Sequence, residues 1–152
     1  MKALWTAVAL IATPALSDEP LSGWASYATD KSYDALVADT KDAIKANGLI
    51  VVTQAGPTNA AASRGITIPG NRVIGAFNND YAVRVLETSV NAMIEAPIRF
   101  YVTENEDGTA TLSYKTPSFV FAPYVYEGGE PLRKIAEELD GKFQAVAETA
   151  VK

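Results

Sequence analysis

The 152 residues contain no histidine and no cysteine, and these two absences remove much of the familiar chemistry of enzymes. Without histidine there is no Ser-His-Asp or Cys-His nucleophile system and no imidazole ligand for a metal. Without cysteine there is no thiolate metal site, no redox pair and no disulfide, so stability comes from packing. Positive charge is also short: 13 Lys and Arg face 18 Asp and Glu, giving a formal charge of -5 and a pI near 4.7. A nucleic-acid binder relies on a basic surface to neutralise phosphates and release counterions, which this balance argues against. Gly65, Gly70 and Gly75 are too scattered to form a phosphate-cradling loop.

What is present is ordinary globular composition, 48% hydrophobic and 20% charged, in a chain long enough for one domain with a real core. The start of the chain has the pattern of a secretory leader. Lys2 supplies a positive end, Ala3 to Ala12 is apolar except for Thr6, and Ala15-Leu16-Ser17 offers a small-residue cleavage triplet. The apolar run is well short of the roughly 20 residues needed to span a bilayer. The reading is a signal peptide at 1–17 and a single domain at 18–152, periplasmic or secreted after cleavage near Ser17, with no membrane span in the mature chain.

The segment Arg72-Val73-Ile74-Gly75-Ala76-Phe77 is β-branched and apolar and stops abruptly at Asn78-Asn79. It predicts a central strand and its end. Before it, Trp24 to Ala28 reads as a strand. Asp30 or Ser32 then caps a helix whose inner face carries Tyr33, Leu36, Val37, Thr40 and Ile44, and Asn47-Gly48 ends it. Leu49 to Thr53 is nearly continuous in apolar residues, which predicts a strand covered on both faces. Between Ala55 and Gly70 a short helix lies between two loops.

After the central strand, Val83, Leu86, Val90, Met93 and Ile94 approximate a helical stripe, weakened by Thr88-Ser89-Val90 and closed by Pro97. Ile98–Thr103 and Thr109–Tyr114 form a hairpin turning at Asp107-Gly108. Thr116 to Tyr124 reads as an aromatic loop that buries Phe119, Val120 and Phe121. The last helix starts at Pro131 and carries Leu132, Ile135, Leu139, Phe143 and Val146 inward. Together these elements predict a compact α+β domain with about five strands in a mixed or largely antiparallel sheet and helices packed on one face.

Few residues suggest chemistry. Tyr27 and Lys31 have the spacing of a dehydrogenase tyrosine and lysine, but no glycine-rich dinucleotide turn precedes them. Glu104, Glu106 and Asp107 cluster at the hairpin tip without the spacing of a calcium loop, and a solvated turn accounts for them. The strand end is different, because Asn78 and Asn79 place polar groups where a sheet can open onto a cleft. With Arg99 and Tyr114 on neighbouring segments, they form a candidate ligand-binding set in an apolar pocket closed by Phe119, Phe121 and Tyr124. The plainer account makes Asn78 a helix cap and Tyr114 a packed ring. No catalytic residue, metal ligand or cofactor is assigned.

From about Tyr27 to Tyr124 the chain resembles the bacterial family called domain of unknown function 302. The resemblance is carried by Asn47-Gly48-Leu49, the alanine run leading to Gly65-Ile66, and Gly75-Ala76-Phe77-Asn78-Asn79. Ala96-Pro97, Asp107-Gly108 and Ser113-Tyr114-Lys115-Thr116-Pro117 extend it. It implies a small α+β fold, often a homodimer, and no established activity. Members often carry a histidine before the alanine run, where this chain has Gln54 to Asn59, and a Phe-Gly-Asn-Pro-like strand end, where only Asn78 carries over. The expectation for function is a non-enzymatic exported homodimer that binds a small molecule or a partner protein. The alternatives are a hydrolase or lyase using carboxylate and tyrosine chemistry, and a purely structural assembly protein.

Overall fold

A computed structural model describes residues 21–152; the leader read at 1–17 lies outside them. In chain order, β1 (Trp24–Thr29) is followed by α1 (Tyr33–Ala46), β2 (Ile50–Ala55), a short α2 (Thr58–Ala62) and β3 (Asn71–Phe77). Then come α3 (Asn79–Thr88), a 3-10 turn (Asn91–Glu95), β4 (Ile98–Glu104), β5 (Ala110–Lys115) and α4 (Pro117–Phe121). A second 3-10 turn (Ala122–Tyr124) leads into α5 (Val125–Ala150). No helix among the described residues is long and apolar enough to cross a membrane.

The five strands form one sheet in the order β1-β5-β4-β3-β2, and every neighbouring pair is antiparallel. Helix α1 carries the chain from one edge strand to the other, and β3, β4 and β5 then fill the space between. The segment read as the central strand is β3, one place in from an edge, and β4 holds the middle. Pairing of β1 with β5 joins residues some ninety positions apart, and local pattern carries no sign of it. The β4–β5 hairpin turns where Asp107-Gly108 predicts: the Asp107 carboxylate accepts from the Thr109 amide at 2.9 Å, and Gly108 takes φ 82°.

The core lies between one face of the sheet and the helices. Ile74, Phe100, Val102 and Leu112 face it from the strands, Leu36 and Ile44 from α1, and Leu132, Phe143 and Val146 from α5, all at most 1% exposed. The Phe100 and Phe143 rings stack at 4.5 Å between centroids, joining the middle strand to the longest helix. All five residues of the α5 stripe are buried. Helical backbone begins at Val125 rather than Pro131, but Gly129 interrupts it at φ 58°, ψ -152°, so Pro131 opens the segment that packs on the sheet.

Three readings need correction. Strand β2 is an edge strand with Ile50 55% and Val52 44% exposed, so its apolar run is not covered on both faces. The segment Thr116 to Tyr124 is helical, not loop: the Thr116 hydroxyl accepts from the Phe119 amide and starts α4, which buries Phe121 and leaves Phe119 41% exposed. The stripe assigned to one helix is split between α3 and the 3-10 turn, and all of it but Met93, which packs against the core, faces outward. Asn78 fixes the first turn, its side-chain oxygen accepting from the Asp80 and Tyr81 amides at 2.9 and 3.3 Å. That phase turns Ala82 and Val85 inward and leaves Val83 47% and Leu86 44% exposed, while Val90 and Ile94 lie past the end of α3, around the 3-10 turn, 70% and 78% exposed.

Candidate functional site

Strand alternation decides which side chains reach the face that no helix packs on. Trp24 pairs with Lys115, Gly75 with Arg99 and Thr53 with Gly75. Because Phe100 pairs with Tyr114, Arg99 and Lys115 fall at the next position on adjacent strands. One row therefore crosses the open face as Trp24, Lys115, Arg99, Gly75 and Thr53. The next row runs Ser26, Ser113, Tyr101, Val73 and Ala55.

Trp24, Lys115, Arg99, Tyr101 and Val73 from these rows, with Asn71, border a groove of about 440 Å3. Glu95 from the 3-10 turn and Val120 from α4 wall one end. The Asn71 amide donates to the Tyr101 hydroxyl and fixes that ring. The Lys115 ammonium lies 5.9 Å from the centre of the Trp24 ring, within the range of a cation–π attraction. Neither Arg99 nor Lys115 forms an ion pair among the described residues. The Tyr124 hydroxyl donates to Glu95 at 2.7 Å, and this hydrogen bond raises the Tyr124 phenol above its ordinary pKa.

The structure divides the four residues expected to share a site. Arg99 and Tyr114 both border the groove. Tyr114 does so from the core side, 3% exposed, with its ring against Phe100 and Phe143, and burial pushes its phenol pKa well up. Asn78 lies elsewhere. Besides capping α3, its amide donates to the Gly48 carbonyl at 2.9 Å, and it borders a separate apolar cavity of about 40 Å3 that Phe121 also lines. Asn79 is the exposed first residue of α3.

Other residues singled out by the sequence are engaged locally. Lys31 bonds Asp39 and the Ala150 carbonyl, and Glu104 accepts from the Gly70 amide at 2.6 Å. The Thr109 hydroxyl and amide hold the Asp107 carboxyl below its ordinary pKa. Sequence reasoning missed Trp24, Tyr101, Lys115 and Glu95. The available signal was the polar alternate positions of the hairpin strands, Arg99, Tyr101, Thr111, Ser113 and Lys115, which mark the face without helices.

A second surface is apolar. Val90 is 70%, Ile94 78% and Tyr126 84% exposed, around a shallow hollow of about 780 Å3 that also touches Leu86, Met93 and Tyr124. The groove thus supplies cations, aromatic faces and one carboxylate, while this patch is mainly apolar, with Asn91 and two tyrosines at its border.

Comparison with curated proteins finds no match. Among solved structures, the chain is similar to the crystal structure of an uncharacterized conserved DUF302 protein from Bacillus stearothermophilus. The TM-score is 0.75 at 15% identity, covering 87% of this chain and all of that one; at that identity the likeness speaks for the fold. The family profile described as Domain of unknown function DUF302 matches residues 25–150. With nearly the whole described chain matched and the same fold in a solved member, the protein belongs to the DUF302 family.

Proposed function

We propose that this DUF302 domain is a non-enzymatic, exported binding protein whose small-molecule ligand occupies the groove on the open sheet face. The observation that carries the reading is the pairing of a 440 Å3 groove with two cations that have no ion-pair partner among the described residues. Ligand sites combine an apolar, aromatic lining with a few polar groups that fix orientation, and Trp24, Val73, Arg99, Tyr101 and Lys115 make up such a set. Export rests on the leader-like composition of residues 1–17. The homodimer rests on the Val90, Ile94 and Tyr126 patch, since exposed apolar surface of this kind marks interaction sites.

The catalytic alternative has one observation in its favour, a carboxylate in the groove. Glu95 is hydrogen-bonded to a tyrosine, the two groups that carboxylate and tyrosine chemistry needs. That same bond raises the Tyr124 pKa, however, and a tyrosine acting as a base needs the opposite shift. The pair joins the two 3-10 turns and serves as a structural tie.

The test is a backbone amide correlation map of the protein with and without a small-molecule extract of its own cells. Shifts are expected at Trp24, Arg99, Tyr101 and Lys115. A map unchanged at these positions overturns the groove reading.

A further inference from the structure

We infer that the groove takes a small organic anion: a carboxylate seated between Arg99 and Lys115, joined to a flat apolar body lying across Tyr101 and Val73. This deepens the binding reading above and rests on it.

Charge carries the first part. Arg99 and Lys115 are cross-strand neighbours on the open face, and like charges so placed repel one another. The chain has 18 acidic residues and a net charge of -5, so carboxylates to offset the pair are plentiful in the sequence. Yet no described Asp or Glu lies within ion-pair distance of either cation. The groove's own carboxylate, Glu95, is engaged by the Tyr124 hydroxyl at 2.7 Å. With two cations and one anion, the groove carries positive charge in an acidic protein. A ligand carboxylate between Arg99 and Lys115 would replace their repulsion with two charge-assisted hydrogen bonds. The guanidinium fork of Arg99 matches the planar, two-oxygen geometry of that group.

The lining carries the second part. Tyr101 stands two residues along β4 from Arg99, a distance of roughly 7 Å at the usual rise of a strand. That is the scale of one or two fused rings. The Tyr101 ring is held by Asn71, Trp24 closes the row on the far side of Lys115, and Val73 lies beside Tyr101. A fixed aromatic face next to a charged row selects a flat body bearing an acid at one end, and a free inorganic anion would leave that face empty.

The experiment is a calorimetric titration of the full chain with 2-naphthoate, its neutral counterpart 2-naphthamide, and acetate. Naphthoate is expected to bind at least tenfold more tightly than the amide, and acetate to give no measurable heat. The double variant Arg99→Gln with Lys115→Gln should lower naphthoate binding to the level of the amide, with an unchanged circular-dichroism melting curve showing the fold intact. Equal binding of naphthoate and amide overturns the anion assignment and leaves the groove reading standing, as does a naphthoate preference that survives in the double variant. Acetate binding as well as naphthoate overturns the aromatic part. If none of the three binds, the inference fails; the groove reading fails with it only if the cell extract also leaves the open-face amides unshifted.

Discussion

Asn78 uses both ends of its amide for structure. Its oxygen accepts from two free amides at the start of α3, and its nitrogen donates to the Gly48 carbonyl beyond α1. Its place at the end of an apolar strand was legible in the sequence, but whether it capped a helix or faced a ligand depended on where α3 began. Removing such a cap costs about 1 kcal/mol. Asn78→Ala should therefore lower stability in chemical denaturation by about that amount while leaving ligand binding at the groove unchanged. Tyr114 gives a pH prediction. Burial raises its folded-state pKa, so the contribution to stability is fully present below the unfolded tyrosine value of about 10. It is lost as pH rises from there towards the folded value, because the unfolded chain ionises first. Alkaline titration should show the Tyr114 tyrosinate signal only with unfolding, and Tyr114→Phe should flatten this part of the stability profile.

At the scale of elements, the periodic signals that held are those set by local chemistry. The α1 and α5 stripes, the hairpin turn and the start of α1, where of the two candidates Ser32 caps and accepts from the Ala35 amide, follow from residues close in sequence. The outward stripe of α3 has the same helical spacing as a core face, and only the phase fixed by Asn78 and the small residues Ala82 and Val85 shows which side is buried. Edge exposure of β2 likewise depends on strand order, which non-local pairing sets. Gly75 marks a close approach between strands: a Cβ there would lie 2.2 Å from the Thr53 hydroxyl and 2.8 Å from the Pro97 ring. Overpacking of this kind costs about 1–3 kcal/mol. Gly75→Ala should lower the thermal midpoint and weaken amide protection in β2 and β3; an unchanged midpoint would contradict the packing described.

For the whole molecule, the decisive feature is that helices cover one face of the sheet and leave the other to solvent. Fold class was readable from the order of elements. The groove was not, because its floor is assembled from β1, β3, β4 and β5, which only the folded sheet brings into one row. The apolar patch around Val90 and Ile94 predicts association. Light scattering should give about twice the mass of a single mature chain for the unmodified protein, and the Val90→Asp, Ile94→Asp variant should run as a folded monomer. A monomeric unmodified chain would contradict the dimer. The central claim concerns the open-face groove, and native mass spectrometry of the protein taken directly from its own cells tests it most directly. The account predicts a reproducible extra small mass on the unmodified chain that is absent from the Arg99→Gln, Lys115→Gln variant. A bare chain in both preparations would contradict it, and the same adduct on both would overturn the assignment of Arg99 and Lys115 as the anion site.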